Sequence, residues 1–435
     1  MTPRQLALDL LLQLEEQEKY ANLSLSSHTL DSLSEEDRAF VTALFYTTLE
    51  HKITYDYYIA ALSGRSIDKI STHKKSILRL GLCQICDMDK IPDFAAVNET
   101  VKLAKNPGER SFVNGILRSA VRGKESLPMP PKDKNTARFL SVKYSFPQKT
   151  VKRLIGIFGE SETEALLVQL STIAPTDLTV NTAKISRNEL VEKFKKDGIS
   201  AEKSGFSDIS VRISGSVAPA RLQGFSEGEF FVQDSACAVA VSALNPKAGD
   251  TVIDVCSAPG GKSFSASVLM GHTGRIHSFD LHESKLSLIE SGAKRLGIDI
   301  ISVAERDATA PDETLFGVAD AVICDVPCSG LGVMGKKPDL KYKDLDAVAV
   351  LPSLQLEILE QSVKYLKSGG RVLYSTCTIL PEENEGVVDA FLAAHIEFSP
   401  VEFEVGSLKS QGGKLTLYPH VHKTDGFFMA VLEKK

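Results

Sequence analysis

The sequence predicts three structural parts in chain order: an all-α helical bundle, a small α+β domain, and an α/β domain with a doubly wound, mostly parallel sheet. Apolar residues recur at helical spacing through the first 125 residues, with no strand pattern between them. A stretch rich in Pro and Lys at 128–135 indicates a linker. From about residue 228, strands alternate with helices, which is typical of a parallel sheet. The expected domain borders are 1–126, 136–222 and 223–435.

Composition and charge set limits on the function. The chain has 435 residues, more than one hydrophobic core usually serves, so two or three domains are expected. Its net charge of −6 argues against a nucleic-acid partner when taken alone. Residues 101–220, however, carry more Lys and Arg than Asp and Glu, whereas residues 221–435 are acidic. A basic central stretch favours a phosphate backbone as partner, although chance explains it equally well.

In the first region, each predicted helix has an apolar face. Ser34-Glu35-Glu36-Asp37 is typical of a capping-box start, and the residues after it keep helical spacing. The apolar residues that predict the helices are Leu6, Leu10, Leu11 and Leu14, then Phe40, Val41, Leu44, Phe45 and Leu49, then Tyr55, Tyr58, Ile59 and Leu62, then Ala95 to Ala104, and finally Phe112, Val113, Ile116, Leu117 and Val121.

The second and third regions are predicted to contain strands. In the small α+β domain, helices near 148–171 and 186–197 accompany short strands at Leu178–Val180 and Ile209–Arg212. Gly426–Leu432 is predicted to be a late strand, at an antiparallel edge of the large sheet. The other strands of that sheet are predicted at Thr251–Val255, Arg275–Asp280, Ile300–Val303, Ala321–Asp325 and Arg371–Ser375.

Cysteine usage and hydropathy predict a reduced, cytoplasmic protein with no membrane partner and no metal. The chain has seven cysteines at irregular spacing, which argues against a disulfide framework. Cys83 and Cys86 form a C-x-x-C pair inside an apolar helical run, and we interpret both as core-packing residues. No stretch approaches 18 uninterrupted apolar residues.

Chemistry-bearing residues follow three of the predicted strands. They are the glycine turn at Cys256–Lys262, the Pro327-Cys328 pair and the Thr376-Cys377 pair. In open α/β sheets, ligands bind where the carboxyl ends of the strands meet, so these three loops are expected to share one crevice. Most cysteines of this kind are buried thiols with a structural role. The position of Cys328 and Cys377 just past buried strands instead favours a functional role for them.

The glycine turn and two aspartates predict a nucleoside cofactor. The turn lacks the G-x-G-x-x-G and G-x-x-x-x-G-K-[ST] spacings of dinucleotide and triphosphate sites. Gly260-Gly261 permits close approach of a ligand to the backbone at a helix start. Asp280 ends the next strand, where an acid can bind a ribose diol, and Asp307 follows the third, where it can accept from an adenine amino group. Singly, each Asp is better explained as a loop or capping residue.

Five short motifs, in this order, resemble the RNA (cytosine-5) methyltransferases of the Nop/Sun type. The resemblance covers nearly the whole chain, and the ordered set is highly specific although each motif alone is weak. The motifs are Gln233-Asp234, Asp254–Lys262, Asp325–Gly330, Ser375–Thr378 with Pro381–Glu385, and Asp425–Phe428.

The N-terminal region resembles the antitermination factor NusB at Phe112–Arg118. A NusB-like domain joined to this catalytic domain is similar to the bacterial enzymes that methylate a cytosine of small-subunit (16S) ribosomal RNA. One departure is Lys336-Lys337-Pro338-Asp339, where the family usually has two arginines before Pro-Asp. Lysine supplies a point charge without bidentate geometry, which leaves the detail of RNA contact open.

The resemblance implies a covalent mechanism with S-adenosylmethionine as cofactor. It makes Cys377 the nucleophile that adds to carbon 6 of cytosine and gives Cys328 the release step. Asp325 is placed to stabilise charge at ring nitrogen 3, and Lys262 to hydrogen-bond the base or hold Asp325. The cofactor is expected to bind Cys256, Ser257, Ala258, Pro259, Gly260, Gly261, Lys262, Asp280, Lys285, Asp307 and Asp325.

Two other functions remain open from the sequence. The same chemistry on transfer RNA is one, because the catalytic motifs do not encode the target. A non-catalytic RNA-binding or antitermination factor is the other, although both motif cysteines and the Gly-Gly turn are present. A DNA methyltransferase is disfavoured, since those enzymes use the Pro-Cys cysteine as nucleophile. The protein is expected to bind ribosomal RNA as a monomer.

Overall fold

The computed structural model describes residues 2–17, 33–172, 175–215 and 218–435. These residues form two compact units. The first comprises Met1–Thr172 and Met334–Leu345, and the second comprises Ile173–Val333 and Asp346–Lys435. This is a different subdivision from the three sequence-based domains, whose borders stay a prediction.

The first unit is helical, as the sequence predicts. Its core consists of apolar residues from successive helices, among them the fully buried Leu44, Phe45, Ile77 and Leu117. At the predicted capping box, Ser34 Oγ accepts a hydrogen bond from the N–H of Asp37 at 3.1 Å. The helices are α1 (Pro3–Gln17), α2 (Glu35–Glu50), α3 (Lys52–Ser63), α4 (Thr72–Cys86), α5 (Asp93–Val101), α6 (Pro107–Arg122), α7 (Thr136–Tyr144) and α8 (Gln148–Leu170), the last interrupted at Gly159.

The segment Met334–Leu345 belongs to the first unit although it lies far along the chain. It contains a short 3₁₀-helix, Pro338–Tyr342. The hydroxyl of Tyr342 donates to the carbonyl oxygen of Leu49 at 2.6 Å, which ties the segment to the end of α2. Pro338 is buried, whereas Lys336 and Lys337 are exposed. The two lysines of the Lys336-Lys337-Pro338-Asp339 motif, which differs from the family pattern, are therefore accessible. Their contact with RNA stays a prediction.

The second unit begins with a small antiparallel sheet. Its strand order is β2-β3-β1-β4, and its hydrophobic core includes Leu178, Phe194, Val211 and Phe230. The capping box of its helix is complete, because Ser186 Oγ accepts from the N–H of Glu189 and the Glu189 carboxylate accepts from the N–H of Ser186. The elements are β1 (Thr176–Val180), α9 (Arg187–Lys196), β2 (Ala201–Lys203), β3 (Ser210–Ile213) and β4 (Phe230–Val232).

The rest of the second unit is built on a large, mostly parallel sheet with helices between its strands. Its strand order is β10-β14-β9-β8-β5-β6-β7, with β13 also paired to β14. The elements are α10 (Ser235–Leu244), β5 (Thr251–Asp254), α11 (Gly261–Leu269), β6 (Arg275–Asp280), α12 (Glu283–Leu296), β7 (Ile301–Glu305), β8 (Ala319–Asp325), α13 (Leu351–Ser362), β9 (Leu366–Thr376), α14 (Glu385–Ala394), β10 (Phe398–Pro400), β11 (Glu404–Val405), β12 (Leu408–Lys409), β13 (Lys414–Leu417), α15 (Pro419–His422) and β14 (Phe427–Lys434).

The last strand is antiparallel, as predicted, but it is not an edge strand. It pairs with β9 on one side, and both β10 and β13 pair antiparallel to it on the other. The prediction was wrong on this point because β10 and β13 have only three and four residues. Runs this short carry too little alternation to be recognised as strands in a sequence.

Strand order places the switch point of the sheet between β5 and β8. From β5 the chain passes to β6 and β7 on one side, and then crosses to β8 and β9 on the other. The strands β5, β6, β7, β8 and β9 are all parallel. Their carboxyl ends therefore share one edge, and ligands bind at the switch point of such sheets.

Candidate active site

Two cysteine side chains lie in contact at the carboxyl edge of the sheet. The distance between Cys328 Sγ and Cys377 Sγ is 3.2 Å. Cys328 follows the end of β8 by three residues, and Cys377 directly follows the last residue of the adjacent β9. Strand pairing continues to this point, because the N–H of Val326 donates to the carbonyl oxygen of Ser375 at 3.1 Å. Parallel pairing of two strands thus brings together the two predicted catalytic thiols.

The surroundings of Cys328 disfavour its thiolate form. The hydrogen bond with Cys377, burial, and the negative charges of Glu383 and Asp325 all raise the pKa of Cys328 well above its usual range. Both cysteine side chains are partly exposed, so a reagent or substrate has access to them. Cys328 is thus a partly exposed side chain whose surroundings favour the protonated form.

An ion pair between buried Lys262 and partly exposed Asp325 lies at the same edge of the sheet as the cysteines. Lys262 Nζ is 2.6 Å from Asp325 Oδ2, and the hydroxyl of Ser375 donates to Asp325 Oδ1 at 2.7 Å. Burial alone would lower the pKa of Lys262, but the Asp325 carboxylate and the nearby Cys237 sulfur raise it above its usual value. Of the two predicted roles of Lys262, the structure shows the one in which it holds Asp325.

Two glycines allow the backbone to close tightly around Cys377. The N–H of Gly332 donates to the carbonyl oxygen of Cys377 at 3.0 Å, and the N–H of Gly426 donates to the Gly332 carbonyl oxygen at 2.9 Å. A Cβ atom added at Gly332 would lie 1.9 Å from the carbonyl oxygen of Gly426. The Asp425–Phe428 motif therefore contributes a close backbone approach.

The first and last motifs of the ordered set also meet. Asp234 begins α10, where its Oδ1 accepts from the N–H of Ala236 at 2.9 Å. The N–H of Asp425 lies 3.3 Å from Asp234 Oδ2. Gln233 Oε1 accepts from the hydroxyls of Thr179 and Ser265 at 2.8 and 2.6 Å. These residues hold neighbouring elements together.

The glycine turn after β5 is anchored by Asp280. Asp280 Oδ2 accepts from the N–H of Ala258, and Oδ1 accepts from the N–H of His282, both at 3.1 Å. Ser257 Oγ donates to the carbonyl oxygen of Phe279 at 2.9 Å. Gly260 has a φ of 106°, in the left-handed region that favours glycine, and α11 begins directly after it. The turn is thus fixed before any ligand arrives.

The other predicted cofactor residues differ in exposure. Asp307 is exposed, and its Oδ1 accepts from the N–H and hydroxyl of Thr309, which lower its pKa. Lys285 is exposed, with Nζ 4.0 Å from Asp280 Oδ1. Pro259 is exposed as well. Burial raises the pKa of Cys256 well above its usual value, so this thiol is no nucleophile.

A buried carboxylate that sequence reasoning did not assign lies under both cysteine loops. Glu383 Oε2 accepts from the N–H of Ser329 at 2.8 Å, and Oε1 accepts from the Ser329 hydroxyl at 2.5 Å. The Gln355 amide donates to Glu383 Oε2 at 2.9 Å. The only signal in the sequence was the presence of Glu383 in the Pro381–Glu385 motif.

Metal sites and membrane-spanning helices are absent from residues 2–17, 33–172, 175–215 and 218–435. Among these residues, no group of three or more His, Cys, Asp or Glu side chains is arranged to hold a metal ion. Over the same ranges, no helix has both the length and the apolar character needed to cross a membrane.

Family models match three consecutive parts of the chain. One described as 16S rRNA methyltransferase RsmB/F matches residues 241–433. The NusB family model matches residues 1–122. A model for the ferredoxin-like domain of RsmF/B-like methyltransferases matches residues 146–219. With the doubly wound sheet, these matches define the class of protein: a methyltransferase with an N-terminal NusB domain.

Individual relatives agree. The chain is 36% identical to a Bacillus subtilis (strain 168) protein named probable ribosomal RNA small subunit methyltransferase B, over 99% of this chain and 98% of that protein. A protein of the same name from Synechocystis sp. is 34% identical over the full length of both. The crystal structure of PH0851 is similar with a TM-score of 0.81 and 28% identity, and the match covers 100% of this chain and 99% of the other. The chain therefore belongs to the RsmB/F family of 16S rRNA methyltransferases.

Proposed function

We propose that this protein transfers a methyl group from S-adenosylmethionine to carbon 5 of a cytosine in 16S ribosomal RNA, through a covalent adduct with Cys377. The observation that carries the proposal is the 3.2 Å distance between Cys328 Sγ and Cys377 Sγ at the carboxyl edge of the sheet. The ion pair of buried Lys262 and partly exposed Asp325 lies at the same edge of the sheet, with Asp325 three residues before Cys328.

The substrate assignment rests on the relatives and on the basic central stretch. Relatives that match nearly the full length of this chain are named as small-subunit ribosomal RNA methyltransferases. Residues 101–220 carry a surplus of Lys and Arg, which suits a phosphate backbone. A ribosomal RNA substrate also implies that the protein acts in the cytoplasm. Transfer RNA is the alternative substrate, and a parallel assay with both RNAs distinguishes them.

The residues at the switch point fit an adenosyl cofactor. The first-turn N–H groups of α11 have no acceptor within the helix and point toward the glycine turn. Asp280 uses its carboxylate for two backbone N–H groups, and a carboxylate retains further lone pairs for ribose hydroxyls. The exposed Asp307 follows β7 on the same edge of the sheet. When bound, S-adenosylmethionine supplies an electrophilic methyl group on a sulfonium sulfur.

In the proposed mechanism, Cys377 makes carbon 5 of the ring nucleophilic. Its thiolate adds to carbon 6, which forms the sulfur–carbon bond and moves the π electrons of the ring toward carbon 5 and nitrogen 3. We assign the Lys262–Asp325 pair to ring nitrogen 3, where the Lys262 ammonium, held by Asp325, offsets the negative charge that develops. Ser375 and Lys262 hold both carboxylate oxygens of Asp325, so this group needs no reorientation during the reaction. Carbon 5 then takes the methyl group.

Cys328 is assigned to release of the product. As the carbon–hydrogen bond at carbon 5 breaks, its proton passes to Cys328 and its electrons restore the ring double bond. In the same concerted step the bond from carbon 6 to sulfur breaks and its electrons stay on the Cys377 sulfur. Cys328 gives its own proton to that sulfur 3.2 Å away as it takes the proton from carbon 5, so it never holds two protons. The net result is transfer of one proton from carbon 5 to Cys377. The raised pKa of Cys328 suits this relay, because the thiol must hold a proton to give.

The experiment that tests the proposal compares two cysteine variants with methyl donor and cytosine-containing RNA. Cys377→Ala removes the nucleophile, so neither adduct nor product is expected. Cys328→Ala leaves the addition intact and slows release, so a covalent protein–RNA complex accumulates on a denaturing gel. Cys86→Ala, a partly buried thiol of the helical unit, is the control and should resemble the wild type. An adduct with Cys377→Ala and none with Cys328→Ala would reverse the roles.

A further inference from the structure

The two loops that carry the cysteines are joined through one buried carboxylate. Glu383 is 1% exposed and comes six residues after Cys377. Its carboxylate accepts both the N–H and the hydroxyl of Ser329, the residue that follows Cys328. It therefore acts on the Cys328 loop from the Cys377 loop.

The connection is closed by residues adjacent to each cysteine. The hydroxyls of Ser329 and Thr378 are 2.7 Å apart, and these residues directly follow Cys328 and Cys377. Gln355 of α13 donates to Glu383 Oε2 at 2.9 Å and to the carbonyl oxygen of Pro327 at 3.0 Å. The backbone on both sides of Cys328 is thus bound to the same cluster as Glu383.

The backbone around Cys377 is also held by hydrogen bonds to Glu383 and Asn384. The hydroxyl of Tyr374 donates to the carbonyl oxygen of Glu383 at 2.6 Å. Asn384 accepts from the hydroxyl of Thr376 at 2.5 Å and donates to the carbonyl oxygen of Thr378 at 3.2 Å. The residues that precede and follow Cys377 are therefore tied to Glu383 and its neighbour.

We propose that Glu383 is a positioning residue that sets the distance between the sulfur atoms of Cys328 and Cys377. Its buried negative charge also keeps Cys328 in the thiol form. The proposal rests on the catalytic roles proposed above, because it explains how the two sulfurs are kept at relay distance. The donors that contact the Glu383 carboxylate, among the described residues, are neutral groups of Ser329 and Gln355. Its charge is thus not neutralised by an ion pair there.

The hydrogen bond with Cys377 and burial raise the pKa of Cys328 more than Glu383 does, and Asp325 raises it less. Asp325 is also negative, but Lys262 forms an ion pair with it. Cys377 is the nearest titratable group and shares a hydrogen bond with Cys328. Tyr374 stays neutral, because burial raises the pKa of its hydroxyl above the usual range. Glu383 is consequently the negative charge near Cys328 with no cation against it among these groups.

Two substitutions separate geometry from charge. Glu383→Gln keeps the hydrogen bonds, because its oxygen can accept from the Ser329 N–H and Gln355, while its amide donates to the Ser329 hydroxyl. That hydroxyl then donates to Thr378. Glu383→Ala removes all three acceptor contacts. Glu382→Gln removes the same charge one residue away, at a partly exposed position, and serves as the matched control.

The distance between the two sulfur atoms is tested by oxidation with diamide. This reagent takes two electrons and two thiol protons and leaves a disulfide. Peptide mapping by mass spectrometry then measures the Cys328–Cys377 link without any RNA or methyl donor. Wild type and Glu382→Gln should form the link at similar rates, Glu383→Gln should form it no more slowly than these, and Glu383→Ala should form it at least ~10-fold more slowly. An equal rate for folded Glu383→Ala would overturn the positioning role.

The charge is tested by alkylation of Cys328 with iodoacetamide, which reacts with thiolates, over a range of pH in a Cys377→Ser background. Glu383→Gln should move the midpoint of Cys328 labelling to lower pH by about one unit, because a like charge near an acid disfavours ionisation. Glu382→Gln should not move it. An unshifted midpoint in Glu383→Gln would overturn the charge role. Neither assay needs catalysis, so these outcomes are independent of whether the proposed reaction is correct.

Discussion

Substitution of Lys341 by Met should stabilise the protein at neutral pH. Lys341 has a fully buried side chain in the segment Met334–Leu345, and among the described residues its Nζ has no hydrogen-bond partner. The nearest carboxylate oxygen, of Glu50, is 4.0 Å away, and the Phe146 ring centroid is at 4.4 Å. Burial lowers the pKa of Lys341 from 10.5 to about 8, and Glu50 offsets this only in part.

The size and sign of the effect follow from that pKa. A depression of this size corresponds to roughly 3 kcal/mol that disfavours the charged form in the folded state. Below pH 8 both folded and unfolded states carry the proton, so the folded state bears the whole cost. Between pH 8 and about 10.5 the unfolded state binds more protons, so stability rises with pH. Above that range the cost is gone.

Met keeps the length and apolar character of the lysine stem and removes the charge. The unfolding free energy of Lys341→Met should therefore exceed that of the wild type by about 1–3 kcal/mol at pH 7, and the difference should shrink toward zero near pH 10.5. Urea unfolding followed by circular dichroism measures it, since the chain has no tryptophan for fluorescence. Lys337→Met, at an exposed lysine of the same segment, should change stability by no more than ~0.5 kcal/mol. A destabilised Lys341→Met, or a gain that does not vary with pH, would refute the reasoning.

Three further predictions follow from the site and the charge distribution. Asp280→Ala should weaken S-adenosylmethionine binding by at least ~1 kcal/mol in calorimetry, the usual loss for a hydrogen bond to a charged group, and unchanged affinity would contradict the ribose assignment. RNA affinity should fall with salt and depend on residues 1–222; equal RNA binding and methylation by the fragment 223–435 would contradict that division. Gly332→Ala should cost about 1–3 kcal/mol of stability and impair activity, because its Cβ would overlap the Gly426 carbonyl oxygen, whereas Gly115→Ala, with open space around its Cβ, should not.

The sequence predicted the parallel strands well because most of them contain a short run of apolar residues. The predicted Arg275–Asp280 strand coincides with β6, and the predicted Ala321–Asp325 strand lies within β8. Polar contacts between distant parts of the chain could not be predicted in the same way. The bond from Ser375 to Asp325 spans 50 residues, and that from Ser329 to Glu383 spans 54. Such pairs leave no periodic pattern, so only the folded sheet reveals them.

The paired cysteines illustrate the same division. Their place at two strand ends was readable from the chain, because β8 and β9 are apolar runs followed by Pro-Cys and Thr-Cys. Their contact depends on strand order, since β8 and β9 must be neighbours for the sulfurs to meet. The segment Met334–Leu345 shows the opposite case: its membership of the first unit depends on Tyr342 and its contact with Leu49, for which the sequence has no signal.

The two carboxylates near Cys328 bear on the different roles proposed for the two thiols. Asp325 is held by the Lys262 ammonium, so the pair contributes little net charge to its surroundings. Glu383 is held by neutral donors of Ser329 and Gln355, so its full negative charge acts on the neighbouring thiol. A thiol beside an unneutralised carboxylate keeps its proton and is a poor nucleophile, but it remains able to relay one. The charge near Cys328 therefore agrees with the proton-transfer role proposed for it and with the proposal that Cys377 is the nucleophile.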